Sequence, residues 1–321
     1  MKVGIIGIAH MHIVSYLECL RELGVEVSGA YDHEAERLKS FCDAYKLTPY
    51  TDLDAFLEMD FDTVVICSEN AYHHPQTIAA AKRKKHIIVE KPMALTVGEA
   101  DEMIKACKEA NVKLMIAHPV RYSKTMQTLK EQVEKGTIGN LVGINTTNHG
   151  KNPGGWFIEK ALSGGGAIID HTIHMADLVN WMYGLEIDSV HALDAYRNPD
   201  CEVEDNGLLH VRFKNGVFMS LDTSWNRPPS YPLWGDASLA LLTDKGYTHA
   251  DGFGRQGVAY TEEGLKFHGY EQSMDMGMIK AFKEAIEKDL PSPVTGEDGR
   301  FTVLLAQMAY ESIEKNDVVK A

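Results

Sequence analysis

Up to about residue 120 the apolar positions follow two alternating rhythms. Short solid runs read as buried strands: Lys2-Val3-Gly4-Ile5-Ile6-Gly7, Val25–Tyr31, Thr63-Val64-Val65-Ile66-Cys67, His86-Ile87-Ile88-Val89 and Val112–Ala117. Between the first two, Ile13, Tyr16, Leu17, Leu20 and Leu23 share one face of a helix over His12–Leu23. Helices are also predicted over Glu34–Tyr45, Asp52–Glu58 and Pro75–Lys84, the last with proline near its start. Thr96-Val97-Gly98-Glu99 is a capping box that opens a helix running to Ala110. Strands alternating with helices imply a parallel sheet with right-handed crossovers.

Beyond that point the texture changes. A helix over Tyr122–Lys135 stops at Gly136, and strand-like runs then follow one another. They lie at Leu141–Asn148, Ile187–Tyr196, Leu208–Phe213, Val217–Trp225, Leu239–Thr243 and Gly257–Tyr260, with Asn215-Gly216 as a hairpin turn. This predicts a large, mostly antiparallel sheet. One helix interrupts it, Ala167–Tyr183, entered from Ser163-Gly164-Gly165-Gly166. Helices over Met274–Lys288 and Gly299–Ile313 close the chain.

The polar residues that break these patterns mark the chemistry. The strand Ile87-Ile88-Val89 empties into Glu90-Lys91-Pro92. Pro92 has no N–H and cannot extend a ladder, so an acid and a base sit at a strand's carboxyl end, where open α/β sheets bind ligands. A cis Lys91–Pro92 bond suits so sharp an exit. The first strand-to-helix turn, Gly7-Ile8-Ala9-His10-Met11-His12, lies where a dinucleotide fingerprint would lie, with Asp32 about 20 residues on. Only the first glycine of that fingerprint is kept. Ala9 puts a methyl where a pyrophosphate approaches, and His12 puts a ring where helix and strand usually pack closely. Asp32 is expected to hold the adenosine ribose hydroxyls. A carboxylate there repels a 2′-phosphate, and no arginine follows it directly, so NAD is expected over NADP.

On Ala167–Tyr183, Ile169, Ile173, Ala176 and Val179 form an apolar stripe, while Asp170, His174 and Asp177 form a polar one continued by Trp181. Burying a carboxylate and an imidazole costs several kcal/mol unless they are paired, so the stripe is either a satisfied network or a site. His171 and His174 have an H-x-x-H spacing, but no further ligand is placed and no metal is expected.

Composition narrows the classes. The chain has 321 residues, 44% hydrophobic and 24% charged, enough for two globular domains. A formal net charge of −14 argues against nucleic acid, whose binding depends on Lys and Arg. No apolar run of ~18 residues could span a bilayer, and no leader pattern is present. The five cysteines show no C-x-x-C spacing and suit a reducing compartment, so a cytoplasmic protein is expected.

Glu90-Lys91-Pro92 after a buried strand, then Gly164-Gly165-Gly166 leading to Asp170-x-x-x-His174, resembles the glucose–fructose oxidoreductase / inositol dehydrogenase / MocA (Gfo/Idh/MocA) family. Asn70-x-x-His73, Arg121-Tyr122, Gly136-Thr137-Ile138-Gly139 and Val203-Glu204-Asp205 fit it too, so the resemblance covers nearly the whole chain. The departure is the first turn. The resemblance implies an α/β fold: a Rossmann-type NAD(P)-binding domain over about residues 1–120, then an α+β substrate and oligomerisation domain with a mostly antiparallel open sheet over 121–321. It leaves open whether the last helices pack back on the first domain. It implies hydride transfer between nicotinamide and a secondary alcohol of a sugar, cyclitol or related polyol, and a homodimer or homotetramer built through the outer face of the sheet.

The implied catalytic set is Lys91, Asp170 and His174. Histidine ordinarily titrates near neutrality, so His174 is the base; Lys91 stabilises the alkoxide, and Asp170 orients the hydroxyl or Lys91. Gly7, Ile8, Ala9, His10, Met11, His12, Asp32, Ser68, Asn70, His73, Glu90 and Lys91 are implied at the cofactor. Lys91, Arg121, Trp156, Asp170 and His174 are implied at the substrate, with His149, Lys151, Trp225 and Arg227 as further pocket candidates. Two other activities share this fold: NAD-recycling cleavage or epimerisation of glycosides, and non-catalytic dinucleotide sensing. The intact Lys91/Asp170/His174 set argues against a pure sensor.

Overall fold

The solid apolar runs of the N-terminal half become strands covered on both faces. In the computed structural model, β1 (Lys2–Ile6), α1 (His12–Glu22), β2 (Glu26–Tyr31), α2 (Ala35–Tyr45), β3 (Pro49–Tyr50) and α3 (Leu53–Leu57) follow one another. Next come β4 (Thr63–Ile66), α4 (Asn70–Lys82), β5 (His86–Val89), α5 (Val97–Ala110) and β6 (Leu114–Ile116). The structure describes residues 1–199, 201–253, 256–261, 264–269 and 273–321, with backbone only for 256–261 and 264–269. Two compact units result. The first is Met1–His118 with Ala161–Ser163 and Asp275–Arg300; the second is Pro119–Lys160, Gly164–Met274 and Phe301–Ala321.

The first unit's sheet is parallel, in the order β3-β2-β1-β4-β5-β6. Val64, Val65, Ile66, Ile87, Ile88 and Val89 are fully buried, as strands between two helical layers must be. Chain order reverses between β1 and β4, so ligands belong at the carboxyl ends of those strands and their neighbours. Those ends carry Gly7, Ser68 and Glu90-Lys91. The capping box at Thr96 and Glu99 is present. One boundary moved. The fourth helix starts at Asn70 rather than Pro75, so the proline falls in its second turn, where the helix absorbs one lost hydrogen bond.

The second unit opens with a 3-10 turn at Pro119–Tyr122 and α6 (Lys124–Glu134), because Ser123 is extended and breaks the single helix predicted there. It continues with β7 (Leu141–His149), α8 (Ala167–Tyr183), β8 (Ile187–Ala195), β9 (Asn206–Phe213) and β10 (Phe218–Ser224), while α7 (Lys160–Ser163), before α8, falls in the first unit from Ala161 on. Then follow β11 (Ser238–Thr243), β12 (Gly246–Asp251), β13 (Gln256–Thr261) and β14 (Gly264–Gly269); α9 (Met274–Glu287) from Asp275 on and α10 (Gly296–Lys315) up to Arg300 belong to the first unit, and the rest of α10 and β15 (Val319–Lys320) to the second. Seven strands form the sheet β12-β11-β7-β10-β9-β8-β15, in which β7 and β10 are parallel and every other pair is antiparallel. The pattern missed β12 and β15, the two edges: one has few apolar residues and the other is two residues long. Ile144, Leu209, Val211, Leu221 and Leu239 from the inner face pack with Ile168, Met175, Leu178 and Val179 of α8 as the core.

The start of α8 is fixed from a distance. Glu204 Oε1 accepts from the backbone N–H groups of Gly166 (3.0 Å) and Ile168 (2.9 Å) and from the Tyr310 hydroxyl (2.8 Å). A remote carboxylate therefore does the work of an N-cap. A side chain on Gly166 would collide with the Glu204 carbonyl, and one on Gly165 with the Tyr310 hydroxyl. The glycine run exists for close approach.

Midway along α8, Asp177 binds Arg121 through Nε (2.7 Å) and Nη2 (2.5 Å), and both side chains are buried. Arg121, expected at the substrate, thus has a buried carboxylate partner on the helix. Removing one partner of a buried pair costs about 3–5 kcal/mol. Asp177→Ala is therefore expected to lower the urea midpoint sharply, and a near-normal midpoint would show that the pair holds nothing.

Candidate active site

In the first unit the turn after β1 is built on Gly7. Its φ is 76°, and a side chain there would run into the Ser68 backbone and Cβ. The Gly7 N–H donates to the Tyr31 carbonyl (2.8 Å) and the His10 N–H to the Cys67 carbonyl (2.9 Å). The N-cap residue of α1, Met11, is exposed and its side chain makes no cap bond; the His12 N–H donates instead to His10 Nδ1 (3.3 Å). A tight glycine turn leading into a helix N-terminus fits a dinucleotide pyrophosphate, even without the later glycines.

His12, in the place of the third glycine, turns to Glu90. Glu90 Oε1 pairs with His12 Nδ1 (3.1 Å) and accepts from the Tyr16 hydroxyl, while Oε2 accepts from the Lys91 N–H (2.9 Å). One buried carboxylate thus ties the cofactor turn to the lysine. Lys91 itself is buried, and the Lys91–Pro92 bond is cis, as anticipated from sequence. Ligand atoms of His10, His12 and Glu90 lie within 4.8 Å of one another, close enough to suit a metal. Both Glu90 oxygens already accept hydrogen bonds, however, so a hydrogen-bonded network accounts for the cluster.

Asp32 is buried at the end of β2, but its partners were not foreseen. It accepts from the N–H groups of Ile8 (2.8 Å) and Glu34 (2.8 Å), and from Arg37 Nε (3.2 Å) and Nη2 (2.7 Å). Those four bonds use the acceptor capacity of a carboxylate. Arg37 also reaches Glu69 (3.0 Å). A ribose hydroxyl at Asp32 must therefore share it with an arginine. No arginine follows Asp32 directly, yet one turn into α2 brings Arg37 onto it.

Three further residues expected at the cofactor have partners within the protein. Ser68 is fully buried, with its hydroxyl donated to Gln76 (2.6 Å). Asn70 donates to the Ser163 carbonyl (2.9 Å). His73 is fully buried; its Nδ1–H donates to the Pro92 carbonyl (2.8 Å), its Nε2 lies 3.2 Å from the Ser68 carbonyl, and burial lowers its pKa. It braces the segment that carries Lys91.

In the second unit, Asp170 occupies the first turn of α8 and His174 the next, both half-buried. Asp170 Oδ2 accepts from the Trp225 indole N–H (2.9 Å) and lies 3.3 Å from His171 Nε2. Trp225 is buried with Phe157, Ala167 and Val203, and Trp156 stacks on Phe157 at 3.9 Å. Trp225 thus positions Asp170. His149 and Arg227 converge on Asp236, at 2.9 and 2.7 Å. Burial would raise the Asp236 carboxyl, but hydrogen bonds from His149, Arg227 and Thr147 hold it well below the usual range. Lys151 donates to the Pro229 carbonyl (3.3 Å).

The His12–Glu90 pair carries a pH dependence. Burial alone would lower the His12 imidazole, but the charge and hydrogen bond of Glu90 outweigh it and the net shift is upward. Burial alone would raise Glu90, but His10, His12 and Lys91 outweigh it and the net shift is well downward. A raised histidine contributes stability that is complete below its unfolded value, ~6.5, and is lost as pH rises through the folded value. The Glu90 contribution is complete above the ordinary carboxyl range and is lost only as pH falls through its depressed value. The destabilisation caused by His12→Gln is therefore expected to be largest below about pH 6.5 and to shrink as pH rises. Thermal melting across that range measures it; a gap that widens with pH would contradict the pairing.

Comparison with known proteins agrees with this layout. A model of an oxidoreductase family with an NAD-binding Rossmann fold, Gfo/Idh/MocA, matches residues 1–118, and that family's C-terminal domain matches residues 126–249. A myo-inositol 2-dehydrogenase of Thermotoga maritima is 29% identical over 336 aligned positions, spanning 100% of this chain and 98% of the relative. The crystal structure of a probable dehydrogenase from Thermotoga maritima superposes with a TM-score of 0.84 at 26% identity, over 100% of this chain and 99% of that one. A scyllo-inositol dehydrogenase from Lactobacillus casei, solved with NAD(H) and scyllo-inositol, shares the fold (TM-score 0.86, 21% identity, 100% and 98% of the two chains). A glycine turn built for a dinucleotide, a Glu-Lys-Pro strand exit and an Asp-x-x-x-His helix are thus found together in a chain that belongs to the Gfo/Idh/MocA family of NAD-dependent oxidoreductases acting on sugars and polyols.

Proposed function

We propose that this enzyme moves a hydride between NAD and a secondary alcohol of a cyclitol or sugar, with Lys91, Asp170 and His174 as its catalytic residues. The observation that carries this reading is the exit of β5. There a buried lysine, whose backbone is anchored by Glu90, sits at the carboxyl end of a central strand of an NAD-binding sheet. The cyclitol class draws support from the full-length likeness to a myo-inositol 2-dehydrogenase.

NAD supplies the hydride acceptor when bound; the protein's residues handle the proton and the charge. His174 takes the hydroxyl proton as the carbon–hydrogen bond breaks, a role an imidazole fills at neutral pH. Lys91 donates to the same oxygen and stabilises its developing charge. Asp170, held by Trp225, orients the alcohol or the lysine. In the reverse direction His174 returns the proton.

Lys91→Met and His174→Ala are each expected to lower kcat by at least ~100-fold while leaving NAD affinity intact. The assay is NADH absorbance with NAD and a panel of inositols and sugars, alongside titration of NAD binding. Near-normal turnover in either variant would remove that residue from the mechanism. Product formed without NADH would instead indicate internal recycling of the cofactor, and NAD binding without product a sensor.

We further propose a homodimer or homotetramer joined through the outer face of the seven-stranded sheet, in the cytoplasm. Phe218 and Leu242 flank Gly143 in register from either side, and Tyr247 lies opposite Leu242. These three apolar side chains are 52%, 46% and 66% exposed, a row suited to self-association. All five cysteines are free thiols, and among the described residues no helix is long and apolar enough to cross a membrane. Phe218→Asp is expected to shift the sedimenting species towards monomer without unfolding it. An unchanged mass would place the interface elsewhere.

A further inference from the structure

His171 is buried on α8 between two acceptors. Its Nδ1 lies 2.7 Å from the Asn148 carbonyl at the end of β7, and its Nε2 lies 3.3 Å from Asp170 Oδ2. A carbonyl has no proton to give, so the short contact makes Nδ1 the donor. In a neutral ring Nε2 would then present a lone pair to a carboxylate oxygen that also has only lone pairs. The opposite tautomer would aim a lone pair at the carbonyl. No neutral ring satisfies both contacts beside an ionised Asp170.

The ring is also closely confined. A side chain on Gly150 would come 2.9 Å from His171 Cε1 and 3.1 Å from Nε2, so the neighbouring chain passes directly against it. One further proton resolves the conflict, and it belongs on the imidazole rather than on Asp170. Asp170 Oδ2 already accepts the Trp225 N–H at 2.9 Å, and Asp170 lies in the first turn of α8, where the helix dipole favours an anion.

We propose that His171 is an imidazolium that fixes Asp170 as a carboxylate through Nε2–H. It is a positioning residue for the reaction and has no role as a metal ligand. Trp225 and His171 then act as two donors converging on one oxygen, which sets the plane of the carboxylate. The ring's other N–H anchors it to β7, so the orientation of Asp170 is referred to the sheet and not to the helix alone. The catalytic half of this inference rests on the proposed role of Asp170; the protonation half does not.

Two measurements separate the halves. Nitrogen NMR of protein labelled with 15N-histidine, with the His171 signals identified by their loss in His171→Gln, is expected to show both ring nitrogens protonated at about pH 7.5. A neutral His171 ring at that pH overturns the ion pair. For the role, glutamine places an amide nitrogen near the position of Nε2, and asparagine places one near Nδ1. His171→Gln keeps the donor to Asp170 and is expected to hold kcat within ~5-fold, whereas His171→Asn and His171→Leu lose ~30-fold or more at unchanged NAD affinity. A merely structural tie to β7 would give the reverse order, with asparagine the better replacement, and that result overturns the positioning role. The substrate is myo-inositol, or the panel alcohol with the fastest turnover. Asp170→Asn is measured beside these variants: full turnover there refutes the catalytic reading of Asp170 while leaving the NMR result to decide the proton.

Discussion

The Glu90 carboxylate is the constraint on which the first unit's site depends. It is buried at the end of a strand that is itself buried, and it survives as an anion because its neighbours supply the donors water would have given. Those donors come from His12 and Tyr16 in the first helix and from the N–H of Lys91. The geometry of one carboxylate therefore ties the helix that follows the Gly7 turn to the backbone of the proposed catalytic lysine. The cost of burying the charge enforces the arrangement: without its partners Glu90 would be strongly destabilising, so the first helix and the strand exit are held in a single register.

The second unit meets the same physical problem in another way. The start of α8 has to lie against β-structure without its own polar N-cap, since glycines occupy those positions for steric reasons. Glu204 supplies the missing acceptor from a distant loop, and burial raises its carboxyl despite the hydrogen bonds that pull it back. Arg121 clamps the middle of the same helix through Asp177. Between these two fixed points sit Asp170 and His174. A helix held at two places by buried charge can present half-buried reactive groups in a constant orientation, as catalysis of proton transfer requires.

What could be read from sequence was whatever is local. β5 and its abrupt exit, the capping box at Thr96 and the polar stripe of α8 depend on neighbours within a turn or two, so their spacing shows. The partners of the polar residues did not show, because nothing local encodes them. Arg121 and Asp177 are 56 residues apart, and Glu204 caps a helix 36 to 38 residues before it. The partners of His73 are the backbone carbonyls of Pro92 and Ser68, and its spacing in the sequence showed neither. Pro75 misled for a different reason: proline marks where a helix can begin more reliably than where it does begin.

The first turn shows how a degenerate motif can keep its backbone geometry. Of the three glycines in the usual fingerprint, the first answers to a backbone constraint that no other residue meets, and here it is kept: Gly7 has a positive φ and no space for a side chain against Ser68. The third ordinarily permits close packing of helix on strand, a requirement that disappears if the side chain finds another direction. The His12 ring does so, reaching sideways to Glu90, with Tyr16 one turn further on reaching the same oxygen. The residue in place of the glycine is thus part of the clamp. The same logic extends to Asp32, which keeps its place but shares its oxygens with Arg37. The end of β2 thus combines an anion with a cation, where the motif alone implied an anion.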